Sequence, residues 1–209
     1  AAGHQVYVVC PRIAGDEPEA GQGDVPVEEH TDRPLSAVEE VVEELRQGPL
    51  GGLRLAALHG RLTPDVKDAT MRSFAGGEVD VLVSTTVIEV GVDVANATAM
   101  VLLDADRFGV SQLHQLRGRV GRGGHPGLCL LVTHSEVGSP ARGRLEAVAA
   151  TSDGFELSRV DLEQRREGDV LGAHQSGYQS SLRTLRVLRD EETILAARRA
   201  ACDLLESDP

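Results

Sequence analysis

Short apolar runs alternate with amphipathic segments along the first two thirds of the chain. Runs of about four to eight apolar, β-branched residues between turn residues are typical of buried strands. Five runs are predicted as strands: Gln5–Cys10, Leu53–Leu58, Val79–Val83, Ala99–Leu103 and Leu128–Val132. The segments between them carry apolar residues every three or four positions, which predicts helices. Strands alternating with helices predict an α/β fold whose parallel sheet is covered on both faces.

Capping residues set the predicted helix boundaries, because Ser and Thr hydroxyls accept hydrogen bonds from the free N–H groups of a first turn. Three helices are predicted to follow the caps Ser36, Thr63 and Ser111 and to end near Gln47, Gly76 and Gly121. In the first of them, valines and a leucine share one face and glutamates the other. The segment from Pro11 to Pro34 is rich in Gly, Pro and acidic residues, so we predict a loop there.

Beyond about Ser139 the β-branched runs stop. Helices are predicted at Arg142–Ala150, at Phe155–Arg166 after the cap Asp153, and over much of Leu182–Leu205. Glycines interrupt the chain between the last two of these helices. The change of pattern predicts two domains, an α/β domain over residues 1–138 and a small helical extension over residues 139–209.

Composition narrows the class of protein. The formal net charge is −12, which argues against DNA binding by the surface as a whole, so any nucleic-acid site must be a local patch. No apolar run approaches the roughly 18 residues of a membrane helix, and the first residues do not have the pattern of a signal peptide. We expect a soluble, cytoplasmic protein. Cys10, Cys129 and Cys202 are far apart and odd in number, which predicts reduced thiols and no metal site.

Arginines and glycines alternate in the segment from Gln112 to Gly123. Its candidate residues are Gln115, Gly118, Arg119 and Arg122. An arginine that reaches a transferring phosphoryl group neutralises the charge that builds on its oxygens. The alternative for such a cluster on its own is a basic helix face paired with acidic neighbours.

Two further segments follow predicted strands, where open α/β sheets bind ligands. In Ser84–Asp93, hydroxyls can bind phosphate oxygens, Gly91 permits close approach, and Asp93 can accept from a ribose hydroxyl. In His59–Gly60–Arg61, a helix start follows directly, and helix starts favour phosphate. Taken singly, the first segment is equally consistent with an ordinary strand-to-helix cap, and the second carries little information.

Taken together and in order, the three segments resemble the second RecA-like domain of superfamily 2 helicases. His59–Arg61 is similar to motif IV, Thr85–Asp93 to motif V, and Gln115–Arg122 to motif VI. Two segments, "MRSFAGGEVDVLVSTTVIEVGVDV" and "DADRFGVSQLHQLRGRVGRG", resemble the branch that contains RecG and the transcription-repair coupling factors. The fold implied is therefore a RecA-like domain of the P-loop NTPase type.

The tail from Asp153 to Gly177 resembles the translocation motif that these two families share. Two segments, Leu188–Ile194 and "RFGVSQLHQL", are more similar to RecG than to the transcription-repair coupling factors. The family pattern is Arg-Gly-x-Gly-Glu where this chain has Arg165-Arg166-Glu167-Gly168-Asp169. The loss of the first glycine implies a different local turn.

The resemblance implies ATP bound between two RecA-like domains. Arg119 and Arg122 are implied to reach the phosphates, and Gln115 is implied to position the attacking water or the terminal phosphate. The residues implied to line the nucleotide are Gly91, Asp93 and Gly118. Those implied to contact DNA are Gly60, Arg61, Thr85 and Thr86. Those implied to couple hydrolysis to translocation are Arg165, Gly168, Gly172 and Gln175.

Neither Gly-x-x-x-x-Gly-Lys-Ser/Thr nor Asp-Glu-x-His occurs in the 209 residues. A P-loop motor needs the lysine of the first and the Mg²⁺-holding carboxylate of the second. We therefore expect a fragment that is inactive alone. Its Mg²⁺ ligands are expected mainly on a first RecA-like domain, which together with a wedge domain lies outside this chain. The implied nucleic-acid partner is branched DNA, at junctions and forks.

Two alternatives stay open. One is a transcription-repair coupling factor, a translocase that acts on RNA polymerase. The other is a non-catalytic α/β domain whose arginines only bind a nucleotide or a partner.

Overall fold

The computed structural model of the chain describes residues 3–14, 34–48, 50–89, 93–164, 193 and 196–201. The strands are β1 Gln5–Val9, β2 Leu55–Leu58, β3 Val81–Ser84, β4 Ala97–Leu102 and β5 Leu128–Leu131. The helices are α1 Val38–Gln47, α2 Pro64–Ala75, α3 Val110–Arg117, α4 Pro140–Ala150 and α5 Gly154–Gln164. Short 3-10 helices lie at Thr86–Glu89 and Ala105–Arg107.

The five strands form one sheet in the order β2-β3-β1-β4-β5, and every neighbouring pair is parallel. The central strand β1 pairs Val8 with Val83 on one side and with Val101 on the other. The predicted α/β fold with a parallel sheet is confirmed. All the carboxyl ends of the strands consequently lie along one edge of the sheet and all the amino ends along the other.

Both faces of the sheet are buried at its centre, as alternate residues of β1 show, whereas Leu128 and Leu130 of β5 are exposed. Val8 and Cys10 pack in a core with the valines of α1. Tyr7 and Val9 belong to a larger core on the opposite face, which includes Phe74 of α2 and residues of α3 and α4. Burying a large apolar side chain contributes roughly 1.5–3 kcal/mol, so these two cores are the main source of stability.

Two of the predicted caps are wrong. α1 begins at Val38 with Ala37 at its cap position, and the Ser36 N–H instead donates to Oδ2 of Asp104 at 2.7 Å. α3 begins at Val110 after Gly109, whose N–H donates to the Gln112 side chain at 3.1 Å, so Ser111 lies within the first turn. Neither serine hydroxyl therefore caps its helix, and the first N–H groups of α1 donate to backbone carbonyl groups instead.

The predicted loop begins later than Pro11. Arg12 forms a parallel bridge with Ala37, and Ile13 is 5% exposed. The carbonyl groups of Arg12 and Ile13 accept hydrogen bonds from the first N–H groups of α1. The start of the segment is therefore packed against α1, and residues 15–33 lie outside the described part of the chain.

The chain divides into two units, residues 1–157 and residues 158–209. α4 belongs to the first unit, because Leu145 and Val148 are buried in the larger core. Arg117 at the end of α3 donates to the carbonyl oxygens of Val148 at 2.5 Å and Thr151 at 2.7 Å. The boundary that the sequence pattern predicts at residue 138 thus falls inside this unit. That residue 138 separates two functional domains stays a prediction.

α5 begins at Gly154, as its cap predicts. The N–H of Phe155 donates to Oδ1 of Asp153 at 2.8 Å, which confirms Asp153 as the capping residue. Leu157 is 2% exposed and belongs to the larger core. Within the second unit, residues 196–201 are helical, and most of the helix predicted over Leu182–Leu205 lies outside the described residues.

Gln5 is a buried polar residue that joins three parts of the first unit. Its amide group donates to the carbonyl oxygens of Phe74 and, at 2.8 Å, of Val79. Its Oε1 accepts from the side-chain amide of Asn96 at 3.2 Å. The start of β1 is therefore bonded to the end of α2 and to the turn before β4.

We expect Gln5→Met to lower the free energy of unfolding by about 1–3 kcal/mol, because it removes buried hydrogen-bond partners while keeping side-chain volume. Urea unfolding followed by circular dichroism measures this change. The matched control is Arg54→Ala, which breaks an exposed ion pair with Asp80 and should alter stability little. An unchanged denaturation midpoint for Gln5→Met would contradict the expectation.

Candidate nucleotide and nucleic-acid site

The candidate site residues fall on two opposite edges of the sheet. Gly60, Arg61 and the threonines follow the carboxyl ends of β2 and β3. Asp93 and Arg122 lie at the other edge, where the Gly121 N–H donates to the carbonyl oxygen of Ala97, the first residue of β4. The expectation that the whole Ser84–Asp93 segment binds its ligand at the carboxyl ends is therefore wrong. The segment crosses from one edge of the sheet to the other.

Glycines build the loop that carries Arg119 and Arg122. Gly121 has φ +79°, and a Cβ there would lie 2.7 Å from the backbone nitrogen of Gly127. A Cβ on Gly123 would lie 2.2 Å from the carbonyl oxygen of Ala95. Only glycine permits such close backbone approach. The loop is consequently seated on the turn of residues 93–96 that leads into β4.

This seating brings motif V and motif VI together. A guanidinium nitrogen of Arg122 lies 3.4 Å from Oδ1 of Asp93, and both side chains are about half exposed, at 41% and 59%. Nε of Arg122 also donates to the carbonyl oxygen of Gly118 at 2.6 Å. An exposed ion pair adds little to stability. Arg122 is thus held in place while its charge stays accessible to an anionic ligand.

The other motif VI residues lie in α3 or directly after it. Arg119 is half-buried just beyond α3, and Gln115 is exposed in the last turn of that helix. Gly118 is the C-terminal cap of α3, and its N–H donates to the carbonyl oxygen of His114. Burial raises the pKa of Tyr7 to about 12, and the positive charge of Arg119 opposes that rise. The Tyr7 hydroxyl therefore lies within electrostatic reach of the arginines.

The predicted DNA residues are brought together at the carboxyl edge. Leu58 pairs with Ser84, and the Thr85 N–H donates to the carbonyl oxygen of Leu58 at 3.2 Å. Gly60 and Arg61 are exposed directly after β2. The Lys67 ammonium donates to the carbonyl oxygen of Gly60 at 2.7 Å, which adds a second positive charge beside Arg61.

The threonines are less accessible than the sequence suggests. Thr85 has no exposed surface, while Thr86 is half-buried. In the part of the chain that the structure describes, the Thr85 hydroxyl, the Ser84 hydroxyl and Nδ1 of His59 are buried and have no hydrogen-bond partner. Because the Thr85 N–H already donates to Leu58, contact between Thr85 and a phosphate requires the strand ends to open.

Several predicted residues lie outside the described ranges, namely Gly91, Arg165, Gly168, Gly172 and Gln175. Among the residues that are described, no three or more His, Cys, Asp or Glu side chains cluster to hold a metal ion. None of the described helices combines the length and the apolar character that crossing a membrane requires.

Sequence reasoning missed the residues that support the site. Asn96 donates to the Gly3 carbonyl oxygen and to Gln5, and it therefore fixes the turn that carries Asp93. Lys67 looked like an ordinary surface position of α2. For Asn96, a usable signal was an amide residue in the turn before a buried strand, since such turns need side-chain partners for their backbone.

Two family models match this chain. Residues 2–124 match the family described as Helicase conserved C-terminal domain. Residues 151–209 match the family described as ATP-dependent DNA helicase RecG, domain 3, C-terminal. Together the two matches cover nearly all of the chain.

Curated relatives carry the same description. The chain is 56% identical over 198 residues to the ATP-dependent DNA helicase RecG of Mycobacterium bovis, covering 95% of this chain and 26% of the relative. It is 42% identical over 207 residues to RecG of Staphylococcus epidermidis, covering 98% of this chain and 28% of the relative. The chain therefore spans about a quarter of the length of these relatives.

Among solved structures, the chain is similar to one titled "Structure of RecG bound to three-way DNA junction". The TM-score is 0.61 at 36% sequence identity, covering 91% of this chain and 22% of that chain. The parallel sheet with its two helical layers is thus the RecA-like fold of a helicase motor domain. The chain belongs to the helicase conserved C-terminal domain family, in its RecG branch.

Proposed function

We propose that this chain is the second motor domain of an ATP-dependent DNA helicase of the RecG type, with the segment that couples the motor to DNA. Residues 1–138 form the motor domain and residues 139–209 the coupling extension. The observation that carries the proposal is the Arg122–Asp93 contact of 3.4 Å, which joins motif V to motif VI on one exposed edge.

The arginine edge faces the nucleotide. Arg119 and Arg122 neutralise charge on the transferring phosphoryl group, and an arginine in this role accelerates hydrolysis by about 10³- to 10⁵-fold. Gln115 positions the attacking water, and Gly91, Asp93 and Gly118 line the nucleotide. The phosphates and Mg²⁺ are held mainly by a first motor domain, which provides the P-loop lysine and the metal-binding carboxylate.

The opposite edge faces DNA. Gly60, Arg61, Thr85 and Thr86 contact the phosphates of one strand, and Lys67 adds positive charge beside them. Because the chain carries a net charge of −12, contact with DNA is local rather than spread over the surface. The substrate is branched DNA at stalled forks and recombination intermediates, which places the protein in DNA repair and recombination in the cytoplasm.

The RecG match over residues 151–209 favours this function over both alternatives. A transcription-repair coupling factor is a translocase that acts on RNA polymerase, and residues 151–209 match the third domain of RecG instead. A non-catalytic binding domain does not need a segment that matches the third domain of RecG.

We expect the isolated 209-residue chain to hydrolyse essentially no ATP, with or without DNA, because it lacks the P-loop lysine and its partner carboxylate. A phosphate-release assay on a purified preparation measures the rate. Turnover that survives Arg119→Ala in the same chain would show that a contaminant or a different site hydrolyses ATP. Turnover abolished by that change would contradict the half-site proposal.

In the full-length protein, Arg122→Ala should lower DNA-stimulated ATP turnover at least about a hundredfold, since the charge that it neutralises builds mainly in the transition state. Nucleotide affinity should change much less. Arg117→Ala is the matched control, because Arg117 bonds α4 and should affect melting temperature more than turnover. Steady-state kinetics beside thermal melts separates the two, and a normal rate for Arg122→Ala would mean that Arg122 is structural.

Coupling can be tested at Gln175 in the full-length protein. Gln175→Ala should leave DNA-stimulated hydrolysis largely intact while unwinding of a three-way junction falls steeply, since glycine-flanked turns can move as domains close. Both activities are measured on one preparation, together with its melting temperature. A parallel loss of ATPase and unwinding at a lowered melting temperature would instead assign Gln175 to stability.

A further inference from the structure

The side chain of Asn96 determines the tautomer of His4, that is, which ring nitrogen carries the proton in the neutral imidazole. Its Nδ2 donates to the carbonyl oxygen of Gly3 at 2.9 Å and to Oε1 of Gln5 at 3.2 Å, which fixes the orientation of the amide. Its Oδ1 lies 3.0 Å from Nδ1 of His4. Because an amide oxygen can only accept, Nδ1 of His4 must donate. The neutral His4 ring therefore keeps its lone pair on Nε2.

A second imidazole lies against the first. The ring centroids of His4 and His125 are 4.7 Å apart and their planes meet at 61°. His125 belongs to the glycine loop whose backbone packs against Ala95 and Gly127, with Gly124 at φ +81° just before it. Two segments that are distant in sequence are thus held so that both rings lie at one point on the amino edge of the sheet.

We propose that His4 and His125 form a two-histidine site for a late first-row transition metal ion, Zn²⁺, Ni²⁺ or Cu²⁺. Imidazole nitrogens suit these ions, whereas Mg²⁺ and Ca²⁺ prefer oxygen ligands. A metal-binding histidine typically donates its other N–H to a carboxylate or carbonyl oxygen, which fixes the ring and raises its basicity. His4 already has this arrangement through Asn96.

The site is open rather than closed. No third His, Cys, Asp or Glu joins the pair among the described residues, so water completes the coordination. His125 is exposed, and the proposal requires its ring to turn until a nitrogen faces Nε2 of His4. The site does not depend on the proposed helicase function, although His125 lies on the loop that carries Arg122 and Asn96 in the turn that carries Asp93.

The test is a calorimetric titration of the 209-residue chain with ZnCl₂ and, separately, with NiCl₂ at neutral pH. One equivalent of metal should bind. His4→Gln and His125→Gln should each weaken binding by at least about tenfold, the lower limit for loss even of a supporting partner. MgCl₂ should give no binding event at this site.

His134→Gln is the matched control, because His134 is an exposed histidine after β5 and lies apart from the pair. This variant should bind Zn²⁺ as the unchanged chain does. Circular dichroism of each variant establishes that it is folded, and exposed His125 provides a variant with little effect on packing. The proposal is overturned by the absence of binding, by full binding in folded His125→Gln, or by loss of binding in His134→Gln.

Discussion

Direct contact between backbone segments is the constraint on which the candidate nucleotide edge depends. A Cβ on Gly123 would lie 2.2 Å from the carbonyl oxygen of Ala95, and one on Gly121 would lie 2.7 Å from the nitrogen of Gly127. These distances exclude any side chain at either position. The loop after α3 can therefore rest on the turn before β4, and this contact places Arg122 beside Asp93 and His125 beside His4.

The parallel sheet explains how one short segment can serve two ligands. β3 ends at Ser84 on the carboxyl edge, and β4 begins at Ala97 on the amino edge. Between these two residues the chain must return along the length of the strands, from the carboxyl edge to the amino edge. Thr85 and Thr86 consequently lie beside Gly60 and Arg61, while Asp93 lies beside Arg122. We infer that motif V links the proposed DNA edge to the proposed nucleotide edge by covalent connection.

The sequence predicted the elements well and their ends less well. All five strands and the intervening helices could be predicted, because each strand is a short apolar run between turn residues. Burial on both faces holds for β3 at the centre of the sheet but not for β5, whose Leu128 and Leu130 are exposed. The caps at Ser36 and Ser111 could not be predicted correctly. The Ser36 N–H donates to Asp104, which is 68 positions further along the chain and has φ 47°. Residue propensities around Ser36 cannot predict a contact at that distance in sequence. Ile13 is buried for a similar reason, since the start of α1 provides its backbone partners.

The same limit applies to the site. The spacing of Gln115–Arg122 indicated phosphate chemistry, but the edge at which these residues lie follows from where α3 ends. Open α/β sheets bind ligands at the carboxyl ends of their strands. Residues that follow a strand, such as Gly60 and Arg61, lie at that edge, so this rule predicts their position. It does not extend to residues that follow a helix, because a helix packed antiparallel to the strands returns the chain to the amino edge.

Arg117 and Arg122 differ in their surroundings for this reason. Arg117 is the last residue of α3 and turns inward, where it donates to the carbonyl oxygens of Val148 and Thr151 and to Nδ1 of His114. Arg122 lies beyond Gly118 and turns outward, bonded only to groups that leave its charge half exposed. A guanidinium that bonds two part-buried carbonyl groups cannot leave them for a phosphate without a cost, up to about 1–3 kcal/mol for each group left unsatisfied. Exposure and hydrogen bonding, rather than the spacing of arginines, therefore distinguish Arg122, which is proposed to face the ligand, from Arg117, which bonds α4.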